Sequence, residues 1–276
     1  MKQRLLVAAI GVPLLIVVLT ILPPIATAIL ICAMAGAAAY ELLHTAASPC
    51  PLVYVLTLVT AAATVLAIYL AAWESAAAVL PYYLAWGFLY VMALFFLAVR
   101  RFGTDRAIPF SQITVCLTAA FLFPGLYSAI VLLRITGPFF VLMPFVAAFI
   151  GDSASMLGGM ALGKRKLIPT VSPKKTWAGF YFGILGSALG MVLLALVGKW
   201  IWSISVSLLL MALIGAAANL FGQLGDLSMS LIKREAGIKD YSHIFLTHGG
   251  VLDRFDSIMF LAPLIYGAWM LLEGVL

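Results

Sequence analysis

Charge is what this sequence has least of: Asp, Glu, Lys and Arg make up 9% of its 276 residues, against 65% hydrophobic. No soluble core needs that much apolar sequence, so a soluble domain is excluded. With a mean hydropathy of +1.17 the chain is a polytopic membrane protein. Cysteine is also scarce. Cys32, Cys50 and Cys116 are widely spaced with no C-x-x-C pair, which excludes a disulfide framework and a thiolate metal site. No basic amphipathic stretch interleaved with aromatics is present, so the formal charge of +6 points to the membrane and away from nucleic acid. Heptads, inverted repeats and low-complexity linkers are absent too.

What is there is apolar sequence in lengths that span a bilayer, roughly 20 residues each. Such segments fall near 5–22, 25–43, 52–73, 76–99, 112–133, 137–161, 177–198, 201–224 and 255–273. They predict an all-α polytopic integral membrane protein of about nine transmembrane helices with a cytoplasm-facing polar cavity. Met1-Lys2-Gln3-Arg4 before an apolar run is like a signal peptide, but no small-residue cleavage site follows, so it is read as a retained first helix. The sixth segment contains Asp152, which predicts a break or a polar cavity there. Lys and Arg set the orientation. With a cytoplasmic N-terminus, fourteen of them lie inside and only Arg134 and Lys199 outside. Both conspicuous polar loops then face the cytoplasm, where nucleotides are.

Residues 1–150 carry little chemistry and read as transmembrane scaffold, giving lipid access and a surface for dimerisation; residues 151–276 read as the catalytic region. Glu41, at the end of the second helix, reads as structural.

The chemistry is concentrated between Asn219 and Asp256. Five of the ten acidic residues (Asp226, Glu235, Asp240, Asp253, Asp256), four bases and two of the three histidines fall there. Asn219, Gln223, Asp226, Ser230 and Lys233 recur at helical spacing, a polar stripe on an otherwise apolar rod. Asp253 and Asp256, three apart, are predicted to share a helix face just after Gly249-Gly250, a pair that lets backbone approach a ligand. Three carboxylates that converge suit a hard divalent cation such as magnesium. An ion-pair network at the membrane surface is the plainer alternative.

The second informative stretch runs from Gly151 to Gly179. Ser172-Pro173 predicts an N-cap followed by proline at the first helical position, which would put Lys174 and Lys175 in the first turn. The helix dipole disfavours cations there. Either the lysines and free amides grip a phosphate together, or they are simply the cationic loop of an inside-facing segment.

Carboxylates for magnesium and lysines for phosphates suit phosphoryl or nucleotidyl transfer. At this point a resemblance becomes specific. The run S-L-I-K-R-E-A-G-I-K-D (Ser230–Asp240) followed by H-G-G-V-L-D-R-F-D (His248–Asp256) resembles the signature of the phosphatidate cytidylyltransferase family. Q-L-G-D-L (Gln223–Leu227), V-S-P-K-K-T-W (Val171–Trp177) and K-Q-R-L (Lys2–Leu5) match its other landmarks. The resemblance implies that CTP and phosphatidate become CDP-diacylglycerol and pyrophosphate, with magnesium and, as a candidate second cation, potassium. It implies Asp226 and Asp253 as metal ligands supported by Asp256, with Ser230, Lys233 and Arg234 contacting phosphate or ordering the carboxylates. Lys174, Lys175 and Arg254 are further candidates for nucleotide or lipid phosphates, and His248, Gly249 and Gly250 for substrate binding. A homodimer in the inner (plasma) membrane is what the resemblance suggests.

The chain departs from the family pattern at four places: Met229 stands where Glu is usual, Ala178 where an acid or amide follows the Ser-Pro-Lys-Lys-Thr-Trp run, Met156 where Tyr closes the Asp-Ser-x-Ala-Tyr pattern, and Leu246-Thr247 in place of Pro-Gly. Rival readings are another CTP-using lipid enzyme, such as a polyprenol kinase, and an ion-coupled transporter with Asp152 and Asp226 in its path.

Overall fold

Inside a bilayer no water is available to pair backbone N–H and C=O groups, so long apolar runs can only become helices. In the computed structural model, which describes residues 2–47, 49–242, 244 and 249–272 and side chains from residue 11 on, they do. The helices are α1 (Lys2–Thr20), α2 (Pro24–Ala46), α3 (Pro51–Trp73), α4 (Ala76–Arg101), α5 (Phe110–Leu117), α6 (Phe123–Thr136), α7 (Pro138–Leu162), α8 (Trp177–Ile201), α9 (Leu208–Glu235) and α10 (Asp256–Leu272). A π-helical turn, Thr118–Leu122, joins α5 to α6 in one rod. Among the described residues seven helices are long and apolar enough to cross a membrane; α1 and the 17-residue α10 coincide with the first and last predicted segments. The chain is an all-α polytopic membrane protein. Proline opens α2, α3 and α7, where a missing N–H costs nothing.

Packing divides the chain into two units, residues 1–135 with 236–254, and residues 136–235 with 255–276. This cut is made by packing, whereas the division expected at residue 150 is drawn by chemical content. In the first unit α2 buries Ile31, Ala35, Ala38 and Leu42, residues at helical spacing, on the side that meets α3. Polar side chains fasten α3 to its neighbours: Thr57 shares a 2.7 Å hydrogen bond with Tyr90, and Trp86 Nε1 donates to Thr60 Oγ1 at 3.2 Å. The Ala120 carbonyl, within the π turn, accepts from Thr64 Oγ1 at 2.8 Å. Arg134 Nη2 donates to the Leu22 carbonyl at 2.7 Å, which accounts for one of the two bases assigned to the outer side.

In the second unit Gly179, Gly183, Gly186 and Gly190 line one face of α8 and let it lie directly on α7; at Gly186 a Cβ would run into Ala154. α9 packs on α8 and α10. α7 passes through Asp152 without a break, so the interruption expected there is not found. Nor does a helix begin at Ser172. Residues Lys166–Ile168 (β1) and Ser172–Thr176 (β2) form an antiparallel hairpin, with Lys166 opposite Thr176. The cap is Thr176, whose Oγ1 accepts from Gly179 N at 3.1 Å. Lys174 and Lys175 therefore precede the helix and lie in a strand, which removes the conflict with the dipole.

Candidate active site

The predicted stripe on α9 is real. Asn219, Gln223, Ser230 and Lys233 are all buried on one face of the helix, with Asp226 half-buried among them. Its two halves have different partners. Asn219 Nδ2 donates to Ser187 Oγ at 3.0 Å, Gln223 Nε2 donates to Asn219 Oδ1 at 2.5 Å and to the Phe180 carbonyl at 3.2 Å, and Ser187 Oγ closes the chain on the Ala147 carbonyl at 2.6 Å. That half holds α7, α8 and α9 together.

The other half is charged. Lys175 Nζ stands 2.6 Å from Asp226 Oδ2, an ion pair outside hydrogen-bond geometry. Ser230 Oγ donates to Asp226 Oδ1 at 3.4 Å. Asp256, the first residue of α10, is 7% exposed and accepts from its neighbour Ser257 N at 2.7 Å. Asp152, Asp226 and Asp256 lie within range of one another's charge, with Lys175 near Asp152 and Lys233 near Asp256. So α7, β2, α9 and α10 each contribute an ionisable group to one cluster. Arg234 Nε donates to the Val171 carbonyl at 3.3 Å and ties the end of α9 to the hairpin turn.

β2 alternates its side chains, so the two lysines part: Lys174 is exposed while Lys175 turns in to Asp226. The structure does not bring them together as a pair.

In the first unit, Asp253 precedes α10. Residues 251–255 form a turn, with Arg254 N donating to the Val251 carbonyl at 3.1 Å, so Asp253 and Asp256 do not share a helix face as expected. Asp253 Oδ2 instead accepts from Tyr241 N at 2.8 Å and Gly250 N at 2.9 Å. Gly249, at φ +83°, makes the left-handed bend that lets the chain return on Asp253. Arg254 follows directly. His248 and Leu246 lie outside the described residues.

Two residues of this region were not among the predicted site. Asp152 carries a readable signal, a carboxylate inside an apolar segment. Glu41 carries less: from α2 it is fully buried and accepts three hydrogen bonds from the 242–252 segment. Its reading as structural meets a definite set of partners. Of the departures, Met229 is 2% exposed, and the third carboxylate in the field of Asp226 and Asp256 is Asp152. Ala178 sits in the first turn of α8 and Met156 is exposed.

Carboxylates and lysines within range of one another's charge are suited to binding cations and phosphates. Residues 2–272 match the model of a protein family described as the cytidylyltransferase family. The chain belongs to that family. Among its relatives, the phosphatidate cytidylyltransferase of Staphylococcus epidermidis (strain ATCC 35984) is 40% identical over 132 residues, 48% of this chain and 49% of that protein. The phosphatidate cytidylyltransferase of Staphylococcus aureus (strain COL) is 41% identical over 132 residues, with the same shares covered. The aligned part of the chain spans about half the length of these curated relatives.

Membership of the cytidylyltransferase family makes the fit of a metal worth testing. Among the described residues, no three His, Cys, Asp or Glu side chains are gathered as a ready ligand set. The donors themselves suit a hard divalent cation: carboxylate oxygens that share a field, one of them already facing an ammonium group that stands where a cation is wanted.

Proposed function

We propose that this protein transfers the cytidylyl group of CTP to phosphatidate, forming CDP-diacylglycerol and pyrophosphate. The observation that carries the reading is the Lys175–Asp226 pair set in a shared field with Asp152 and Asp256, in a chain of the cytidylyltransferase family. Phosphatidate oxygen attacks the α-phosphorus of CTP, a P–O bond forms there, and the bond to the β-phosphate breaks as pyrophosphate leaves. No covalent intermediate with the protein is needed. Lys175, Lys233 and Arg254 offset the phosphate charge that builds up in this displacement, and Ser230 orients the Asp226 carboxylate. Asp226 and Asp256 are the residues of the second unit that would hold magnesium, which when bound neutralises phosphate oxygens, and Asp253 is proposed as a further ligand on the family resemblance alone. Potassium is proposed as a second cation on the family resemblance alone.

The proposed setting is the plasma membrane, with the N-terminus and the site on the cytoplasmic side, supported by the distribution of Lys and Arg. A homodimer is proposed on the same resemblance.

The test is incorporation of label from α-labelled CTP into lipid by purified protein given phosphatidate, magnesium and potassium. Label in lipid that depends on phosphatidate and is lost in Asp253→Ala is the expected result. Label from the γ-phosphate in place of the α-phosphate would make the protein a lipid kinase, and no transfer with either label by folded protein would sink the reading.

A further inference from the structure

Resting on the transfer reading above, we infer that Glu41 is a positioning residue for the reaction: from α2 it clamps the backbone of residues 250–252 and so sets where Asp253 and Arg254 stand. A carboxylate with 0% exposure in an apolar helix is tolerated only when its lone pairs are satisfied. Those of Glu41 are satisfied by one segment. Its Oε1 accepts from Ser242 Oγ at 2.6 Å and Val251 N at 2.9 Å, and its Oε2 accepts from Leu252 N at 2.8 Å. The next amide back, Gly250 N, donates to Asp253. Three successive backbone N–H groups therefore point at two carboxylates, the arrangement of a backbone nest that elsewhere binds an external anion. Here the anion is part of the protein.

The geometry leaves little freedom. A Cβ on Gly250 would fall on the Glu41 carboxylate, so the close approach requires glycine. Glu41 grips the two residues immediately before Asp253, and any shift of those amides passes to Asp253 and Arg254 across one or two peptide units. A residue that stabilised only α2 would have no such bonds.

The experiment uses the full chain in detergent or nanodiscs, comparing wild type, Glu41→Gln and Ser242→Ala. Glutamine keeps the shape but turns an amide donor towards backbone N–H groups. Two readouts are taken: amide hydrogen exchange at residues 250–252 without substrates, and the magnesium concentration giving half-maximal label transfer. In Glu41→Gln, exchange is expected to quicken and half-saturating magnesium to rise about tenfold, the scale seen when a partner of a metal ligand is lost. Should that variant fail to fold, Ser242→Ala, which removes one of the three bonds, shifts both readouts the same way by a smaller factor. Unchanged magnesium dependence with only a lower yield or turnover would reduce Glu41 to a structural role and overturn the inference, as would unchanged exchange. Wild-type protein that transfers no label would count against the transfer reading itself; exchange alone then judges the clamp, supported if protection is lost in Glu41→Gln and overturned if it is kept.

Discussion

One face of α9 carries two polar halves at the same helical spacing, and they have different partners. Asn219 and Gln223 are neutral and answered by Ser187, by the Phe180 carbonyl and by each other. Asp226, Ser230 and Lys233 belong to a field of charges that includes Lys175, Asp152 and Asp256. A hydroxyl or carbonyl satisfies an amide, so amides within a bundle become attachments between helices. Carboxylates that share a field are not satisfied by one neighbour each and keep a demand for cations. Helical spacing therefore locates the polar face, and charge separates the half proposed to bind from the half that packs.

Substitutions can sharpen or break this contrast. The largest effect is expected of Asp226→Asn, which keeps shape and removes charge: label transfer should fall on the order of 10²–10³-fold while the thermal unfolding midpoint in detergent hardly moves. A variant that melts early but works when folded would erase the distinction. Lys175→Ala should lower transfer roughly 10–100-fold, since it removes the cation facing Asp226. Next comes the support shared by both halves. Gly186→Val drives a side chain into α7 at Ala154 and should cost about 1–3 kcal/mol of stability by overpacking, read from unfolding in denaturant. Asn219→Leu should cost about 1 kcal/mol, because Ser187 keeps the Ala147 carbonyl and Gln223 keeps Phe180, with activity per folded molecule near wild type. A hundredfold loss of turnover there would move the amides into the site. Lys174→Ala, on the exposed face of β2, should change transfer by less than about threefold, the scale of a solvated charge.

Much of the fold was legible because its signal is local. Apolar runs of bilayer length must be helical, and the helices observed overlap the predicted segments, although α9 (Leu208–Glu235) begins and ends later than the segment expected at 201–224. The α9 stripe was legible for the same reason, as a matter of spacing along one element. Misreadings arose where the deciding partner is distant in sequence. Ser172-Pro173 has the chemistry of a helix start, but the pairing of β2 with β1 claims those residues for a strand, and Thr176 takes over the cap. Asp253 has the spacing to share a face with Asp256, but the amides of Tyr241 and Gly250 draw its carboxylate into a turn.

The sequence by itself determined the class of molecule, its helices, the polar face of α9 and the identity of the charged residues, since each follows from composition or from periodicity within one segment. Only the tertiary structure decided which charges meet: that Lys175 and not Lys174 faces Asp226, that Asp152 joins the cluster, and that Glu41 closes on amides more than 200 positions away. Those meetings depend on how helices pack and on which buried polar group must find a partner, and hydrogen bonds of that range leave no periodic trace along the chain.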